Sequence, residues 1–277
     1  DEAARLGADN ILIYMHEMVK AARRENKRFT RADIERHGAD IAFFPGVTGW
    51  FDRITAHGEA HGVEVKHFII SSGLKEMIAA SAIGSSFAAI FASEFKYDAN
   101  DVPEWAALAV NYTNKTQFLF RINKDALDLS DHARVNAYIP EDERPVPFRN
   151  MIYIGDGDTD VPCMRTVREM GGIAIAVHPG DDARGADKVA ELKTDRRVQF
   201  TAAVGLTIVI HSLFGSSSSR NVLSEYSSRM PSPVLTTHGP NCLLNTGGAE
   251  TRSRGYVLIR PVTPRSALNR ADGSSAG

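Results

Sequence analysis

Between residues 63 and 203 short, continuously apolar runs alternate with segments of helical period, and that alternation leaves few folds open. VEVKHFIIS, FAAIFASEF, NMIYIG and IAIAV read as strands. An apolar run without polar alternation is what a parallel strand buried on both faces requires. SGLKEMIAAS, KTQFLFRINK, DVPCMRTVREM and ARGADKVAEL read as the helices between them, followed by RVQFTA. Repeated βα units imply an α/β domain, a Rossmann-like parallel sheet with helices on both faces and right-handed crossovers. Ligands of such sheets bind beyond the carboxyl ends of the strands. The chemistry is expected there.

Residues 1–62 carry no such alternation. Ile11, Met15, Met18 and Val19 share one face of a helix predicted over residues 3–24. Thr30 followed by Asp33 reads as a capping box, with Gly38 closing that short helix. A third helix is predicted after Pro45, ending near Gly62. From residue 204 the pattern fails altogether. Residues 215–277 contain seven Arg, no Lys and three acidic side chains amid Ser, Gly, Pro and Thr. That composition cannot bury enough apolar surface to offset chain entropy, so 204–277 reads as a low-complexity, largely disordered tail. It is equally compatible with a natural extension and with translation out of frame. GYVLIRPV is its one strand-like patch.

With 32 basic and 34 acidic residues the net charge is -2, which gives no footprint for nucleic acid. Cys163 and Cys242 are too few for a disulfide framework and suit a reducing compartment. VGLTIVIHSLFG is too short to span a bilayer, and no leader is visible. A cytoplasmic protein without membrane attachment is expected; oligomeric state is not legible. The chain opens at Asp1, without Met and within a helical pattern, as a fragment or processed product would.

Three strand ends carry the chemistry. In IYIGDGDTDVPCM a buried strand stops at Ile154, and Asp156, Asp158 and Asp160 follow within five residues. Such carboxylates repel one another unless a cation or water relieves them. Magnesium is a natural partner, because it needs only one or two protein carboxylates beside substrate phosphate. An EF-hand is excluded, since Val161 and Val167 stand where its glycine and bidentate glutamate belong. The bland alternative is a solvated acidic turn. In HFIISSG, Ser71 and Ser72 leave a strand and enter a helix through Gly73, a cradle for phosphate or a plain helix cap. In NYTNKTQFLF, Lys115 begins a helix, where a cation opposes the helix dipole unless an anion compensates.

In this order the strand-terminal Ser, helix-initial Lys and strand-terminal GDGxTD resemble motifs two, three and four of the haloacid dehalogenase (HAD) superfamily of phosphohydrolases. The resemblance covers roughly residues 10–203 and implies an α/β HAD-like core (63–203) preceded by a helical cap (1–62). It implies roles residue by residue. Ser71, with Ser72 and Gly73 beside it, would bind the transferring phosphoryl group. Lys115 would stabilise charge on nucleophile and phosphate. Asp156 would bind magnesium, and Asp160 would be a second ligand or an outer partner. Asp158 falls at a variable position.

The resemblance also implies an enzyme, a magnesium-dependent phosphomonoester hydrolase working through an aspartyl-phosphate on a small phosphorylated metabolite. The family's first motif, Asp-x-Asp after an apolar strand, occurs nowhere in residues 1–70. The nucleophile is therefore expected upstream of Asp1, and the chain alone is expected to be inactive. Its sheet is expected to lack one strand, leaving the edges of HFIIS and MIYIG open, with VGLTIVI as a partial substitute. The other class of function is a non-catalytic HAD-like module that binds phosphate or a partner. His57, His61 and His67 share no ligand spacing, and His67 reads as a core-edge side chain. Cys163 reads as a buried structural thiol, Trp50 and Phe51 as packing, and Arg23, Arg24, Lys27, Arg28 and Arg31 as a solvated helix end.

Overall fold

Gly7, at φ +60, interrupts the long helix expected over residues 3–24 and splits it into α1 (Glu2–Leu6) and α2 (Asn10–Arg24). Asp9 starts α2 by accepting the backbone N–H groups of Ile11 and Leu12. The computed structural model describes residues 2–26, 28–44, 46–156, 158–179, 183–204 and 254–259. The capping box forms as expected at the start of α3 (Arg31–Ala39): Thr30 and Asp33 cap each other's backbone. Gly38 does not close that helix. It lies within the last turn, where a Cβ would stand 2.2 Å from the Met77 carbonyl oxygen. It is there for close approach, and α3 packs backbone to backbone on α5 (Lys75–Ala80).

Arg28 is exposed and Arg31 partly so, as a solvated end requires, yet both also make contacts. The Arg31 guanidinium lies 3.9 Å from the ring centroid of Tyr97, its backbone N–H donates to Asp101, and Arg28 donates to the Asn100 carbonyl. Both tie the helical segment to the core; Lys27 lies outside the described residues. Ile11, Met15, Val19 and Ile34 from α2 and α3 form one apolar cluster with Leu74, Met77 and Phe95.

The sheet contains β1 (Lys66–Leu74), β2 (Ala89–Tyr97), β3 (Pro103–Leu108), β4 (Met151–Gly155), β5 (Ile173–Pro179), β6 (Phe200–Val204) and β7 (Arg254–Ile259), in the order β3-β2-β1-β7-β4-β5-β6. Within it β1 and β2 are parallel, as are β4, β5 and β6. One face is covered by α6 (Lys115–Asn123), α8 (Val161–Glu169) and α9 (Ala183–Thr194) around Phe68, Ile70, Phe118, Leu119, Tyr153 and Met164. The other face is covered by α4 (Trp50–Ala60), whose Ile54 meets Ile152 and Ile175, and by α5, whose Ile78 meets Ile69 and Ala92. The α/β architecture with helices on both faces is therefore present.

One strand was not expected, and a second forms from the strand-like patch GYVLIRPV at a place in the sheet that was not expected. β3 is an antiparallel edge strand with Trp105 exposed, so its sequence shows no buried run. β7 comes from the tail. It enters between β1 and β4, antiparallel to both, with Arg254 in register with Ser71 and Ile259 with Lys66 and Met151. The edges of β1 and β4 that were expected to stand open are thus paired, by residues 254–259. VGLTIVI lies outside the described residues from Gly205 onward, as does the rest of the tail.

Candidate active site

The pattern of Asn residues before α6 fixes the position of Lys115. Asn111 Oδ1 accepts the backbone N–H groups of Thr113 and Asn114, and the Lys115 N–H donates to the Asn111 carbonyl at 3.1 Å. Asn111 also donates through Nδ2 to Asp9 Oδ2, so the loop that begins α6 is tied to the start of α2. Lys115 then enters the first turn of α6, where the helix dipole disfavours a cation. The compensating anion is Asp160. Lys115 Nζ donates to Asp160 Oδ1 at 2.8 Å, and both side chains are 0% exposed.

Asp160 occupies the N-cap position of α8 yet makes no side-chain cap. An Asp at that position ordinarily accepts a backbone N–H of the first turn. Here its carboxylate turns into the core, where Oδ1 also accepts the Tyr153 hydroxyl at 2.7 Å. Gly155 makes room for this. A Cβ there would lie 2.7 Å from Asp160 Cβ and 2.7 Å from Met164 Cε. The first glycine of GDGDTD is therefore required by close packing of the carboxylate over the strand end. Burial, reinforced by the charge of Asp160, raises the Tyr153 pKa far above the ordinary phenol value, so it remains a donor. Burial also pushes the Cys163 thiol up to about 12, which leaves it protonated and a poor nucleophile, as its reading from sequence expected.

The remaining residues lie at the ends of β1 and β4, two strands that β7 separates. Asp156 follows β4 directly and is half-buried. Asp158 is exposed and pairs with Lys188 at 2.7 Å, a surface contact of small energetic weight. Ser71 is buried, but its hydroxyl accepts the Gly73 N–H at 3.1 Å, because β1 runs on to Leu74 and the helix starts only at Lys75. The expected strand-to-helix passage at Ser71–Gly73 therefore lies within β1 and is not a helix terminus. The Ser72 hydroxyl is buried without a hydrogen-bond partner among the described residues, while its carbonyl accepts the Ser93 hydroxyl at 3.1 Å. A buried hydroxyl is rarely left unpaired, so Ser72 has capacity for one more acceptor or donor.

Among the described residues no three His, Cys, Asp or Glu side chains are grouped as a metal centre. The donor set nonetheless suits a hard cation held by few protein ligands: Asp156 offers carboxylate oxygen at the strand end, and substrate oxygens and water complete such a shell. Asp160 stands behind, with Oδ1 committed to Lys115 and Tyr153.

A haloacid dehalogenase-like hydrolase family model matches residues 2–165, more than half of the sequence and the whole of the described site up to Asp160. The chain belongs to the haloacid dehalogenase-like hydrolase family. It is also similar to an uncharacterized protein of Borreliella burgdorferi, at 31% identity over 150 residues covering 48% of this chain and 51% of that protein. The chain spans about half the length of that relative. Tyr153, which donates to Asp160, is the member of this cluster that sequence reasoning missed. Its signal was a polar aromatic in a fully buried strand, since a phenol there requires a hydrogen-bond partner. Among the described residues no helix is long and apolar enough to cross a membrane.

Proposed function

We propose that this HAD-like hydrolase is a magnesium-dependent phosphomonoesterase acting on a small phosphorylated metabolite in the cytoplasm. The observation that carries the reading is the Lys115–Asp160 pair. A fully buried ammonium beside a fully buried carboxylate costs desolvation on both sides, and apolar residues of equal volume would be at least as stable. Such a pair is best explained by electrostatic work on an anion.

Each residue then has a task. Lys115 supplies fixed positive charge where an in-line phosphoryl transfer develops negative charge, preorganised in a water-poor site. Ser71 and Ser72 offer hydroxyls, and Gly73 a backbone close to the strand end, to orient the phosphoryl oxygens. Asp160 holds Lys115 in place. Magnesium would be held by Asp156, supported by Asp160, and when bound would supply charge neutralisation on phosphoryl oxygens. The aspartyl nucleophile is assigned to a segment outside these 277 residues, because no Asp-x-Asp follows an apolar strand before Ser71. The helical segment around α2 and α3 would cover the site and favour small substrates over proteins.

One observation favours the non-catalytic reading for the chain alone. The position between β1 and β4 is filled by β7, which brings Arg254, not a carboxylate, into register with Ser71. The test is phosphate release from a panel of phosphorylated metabolites, using the protein with its upstream segment, with and without a chelator. Turnover that requires magnesium, and is absent from residues 1–277 alone, is expected. Equal turnover with chelator contradicts the reading.

A further inference from the structure

We propose that Tyr153 is the positioning residue that holds Asp160 in the arrangement on which Lys115 depends, an inference that rests on the phosphohydrolase reading for its purpose but not for its test. A lysine alone fixes a carboxylate poorly, because its ammonium is a point charge on a flexible four-carbon stem. The Tyr153 ring is rigid, wholly buried and anchored in the interior strand β4. Its hydroxyl and the Lys115 ammonium both donate to the same oxygen, Oδ1 of Asp160, at 2.7 and 2.8 Å. Two donors from different elements, one on β4 and one on α6, define the direction of that carboxylate.

Asp160 stands at the N-cap of α8, where a residue with extended backbone angles would accept an N–H of the first turn; at φ -90 and ψ -17 it makes no such cap. Pro162 in that turn removes one such donor. The Tyr153 hydroxyl supplies a charge-assisted alternative inside the core. Without it, Asp160 Oδ1 loses the rigid donor that fixes its direction, and its contact with Lys115 is expected to loosen. Cys163, the other polar group against the phenol, is protonated and cannot take over the charge.

The test compares the 277-residue chain with Tyr153→Phe, Asp160→Asn and a variant carrying p-aminophenylalanine at 153. The first readout is the Lys115 side-chain ammonium signal in ligand-free, 15N-lysine-labelled protein, assigned through Lys115→Arg. The proposal expects Tyr153→Phe to move and broaden that signal toward its Asp160→Asn state, and p-aminophenylalanine, which keeps a donor at the ring end, to restore it. A Tyr153→Phe protein that is folded by circular dichroism with the parent Lys115 signal overturns the proposal. So does a p-aminophenylalanine variant that behaves like phenylalanine, and this arm decides if Tyr153→Phe fails to fold. The second readout is titration with inorganic phosphate in the presence of magnesium, where Tyr153→Phe is expected to weaken binding on the order of tenfold. Parent protein that binds no phosphate would sink the phosphohydrolase reading, while the Lys115 signal still decides the role of Tyr153.

Discussion

Lys115 and Asp160 meet at 2.8 Å with neither side chain exposed to solvent, although they begin different helices 45 residues apart in the chain. Removing one partner leaves a buried charge unpaired. Lys115→Met and Asp160→Asn are each expected to cost about 3–5 kcal/mol in urea unfolding. The double variant Lys115→Met/Asp160→Leu is expected to recover much of that loss while binding no phosphate. Singles that unfold like the parent would show that the pair is solvated in solution.

Gly155 tests the same carboxylate from the strand side. In Gly155→Ala the added methyl meets Asp160 Cβ and Met164 Cε at 2.7 Å, so one of them must shift. A loss of about 1–3 kcal/mol is expected, together with weakened phosphate binding. Unchanged binding would mean that Asp160 relaxes without disturbing Lys115.

The contact between Gly38 and Met77 joins the helical segment to the core. In Gly38→Ala the Cβ would stand 2.2 Å from a backbone oxygen, which cannot rotate away. A loss of about 1–3 kcal/mol, or more, is expected. Hydrogen exchange should show faster opening across α2 and α3 with little change in β4 and β5. Uniform acceleration through the whole chain would contradict a local junction.

His67 gives the fold an acid sensitivity. It is packed against Phe51 with Thr55 at 3.3 Å, and burial lowers its pKa from 6.5 to about 4. Between those values the unfolded chain holds the proton and the folded chain does not. Stability from this group is therefore complete above about pH 6.5 and falls as pH drops toward 4. With allowance for partial solvation the loss is about 1–2 kcal/mol. Denaturant melts at pH 7 and 4.5 should show it, and His67→Gln should flatten the difference. An equally steep loss in the variant would assign it to other groups.

Much of this was legible in the residues. Buried parallel strands have to be apolar on both faces, so β1, β2, β4 and β5 announced themselves. The spacing of Asp156 and Asp160 after a buried strand, with Ser71 and Lys115 upstream, marked the site. What stayed hidden depends on contacts that sequence does not encode locally. Gly38 looks the same whether it serves a turn or a close approach. β3 is an edge strand with one wet face, and GYVLIRPV, though strand-like, gave no sign that it would pair between β1 and β4. Tyr153 reads as core because six of its ring atoms are core; only the fold shows where its hydroxyl points. The partner of Lys115 likewise emerges only when β4 brings Asp160 to α6.

The central claim is that these strand ends form a magnesium-supported phosphate site, and isothermal titration of inorganic phosphate into residues 1–277 tests it most directly. Binding in magnesium that is lost on adding a chelator, and lost again in Asp156→Asn with magnesium present, is the predicted result. Phosphate binding that survives both, or no binding under any of these conditions, would contradict the account.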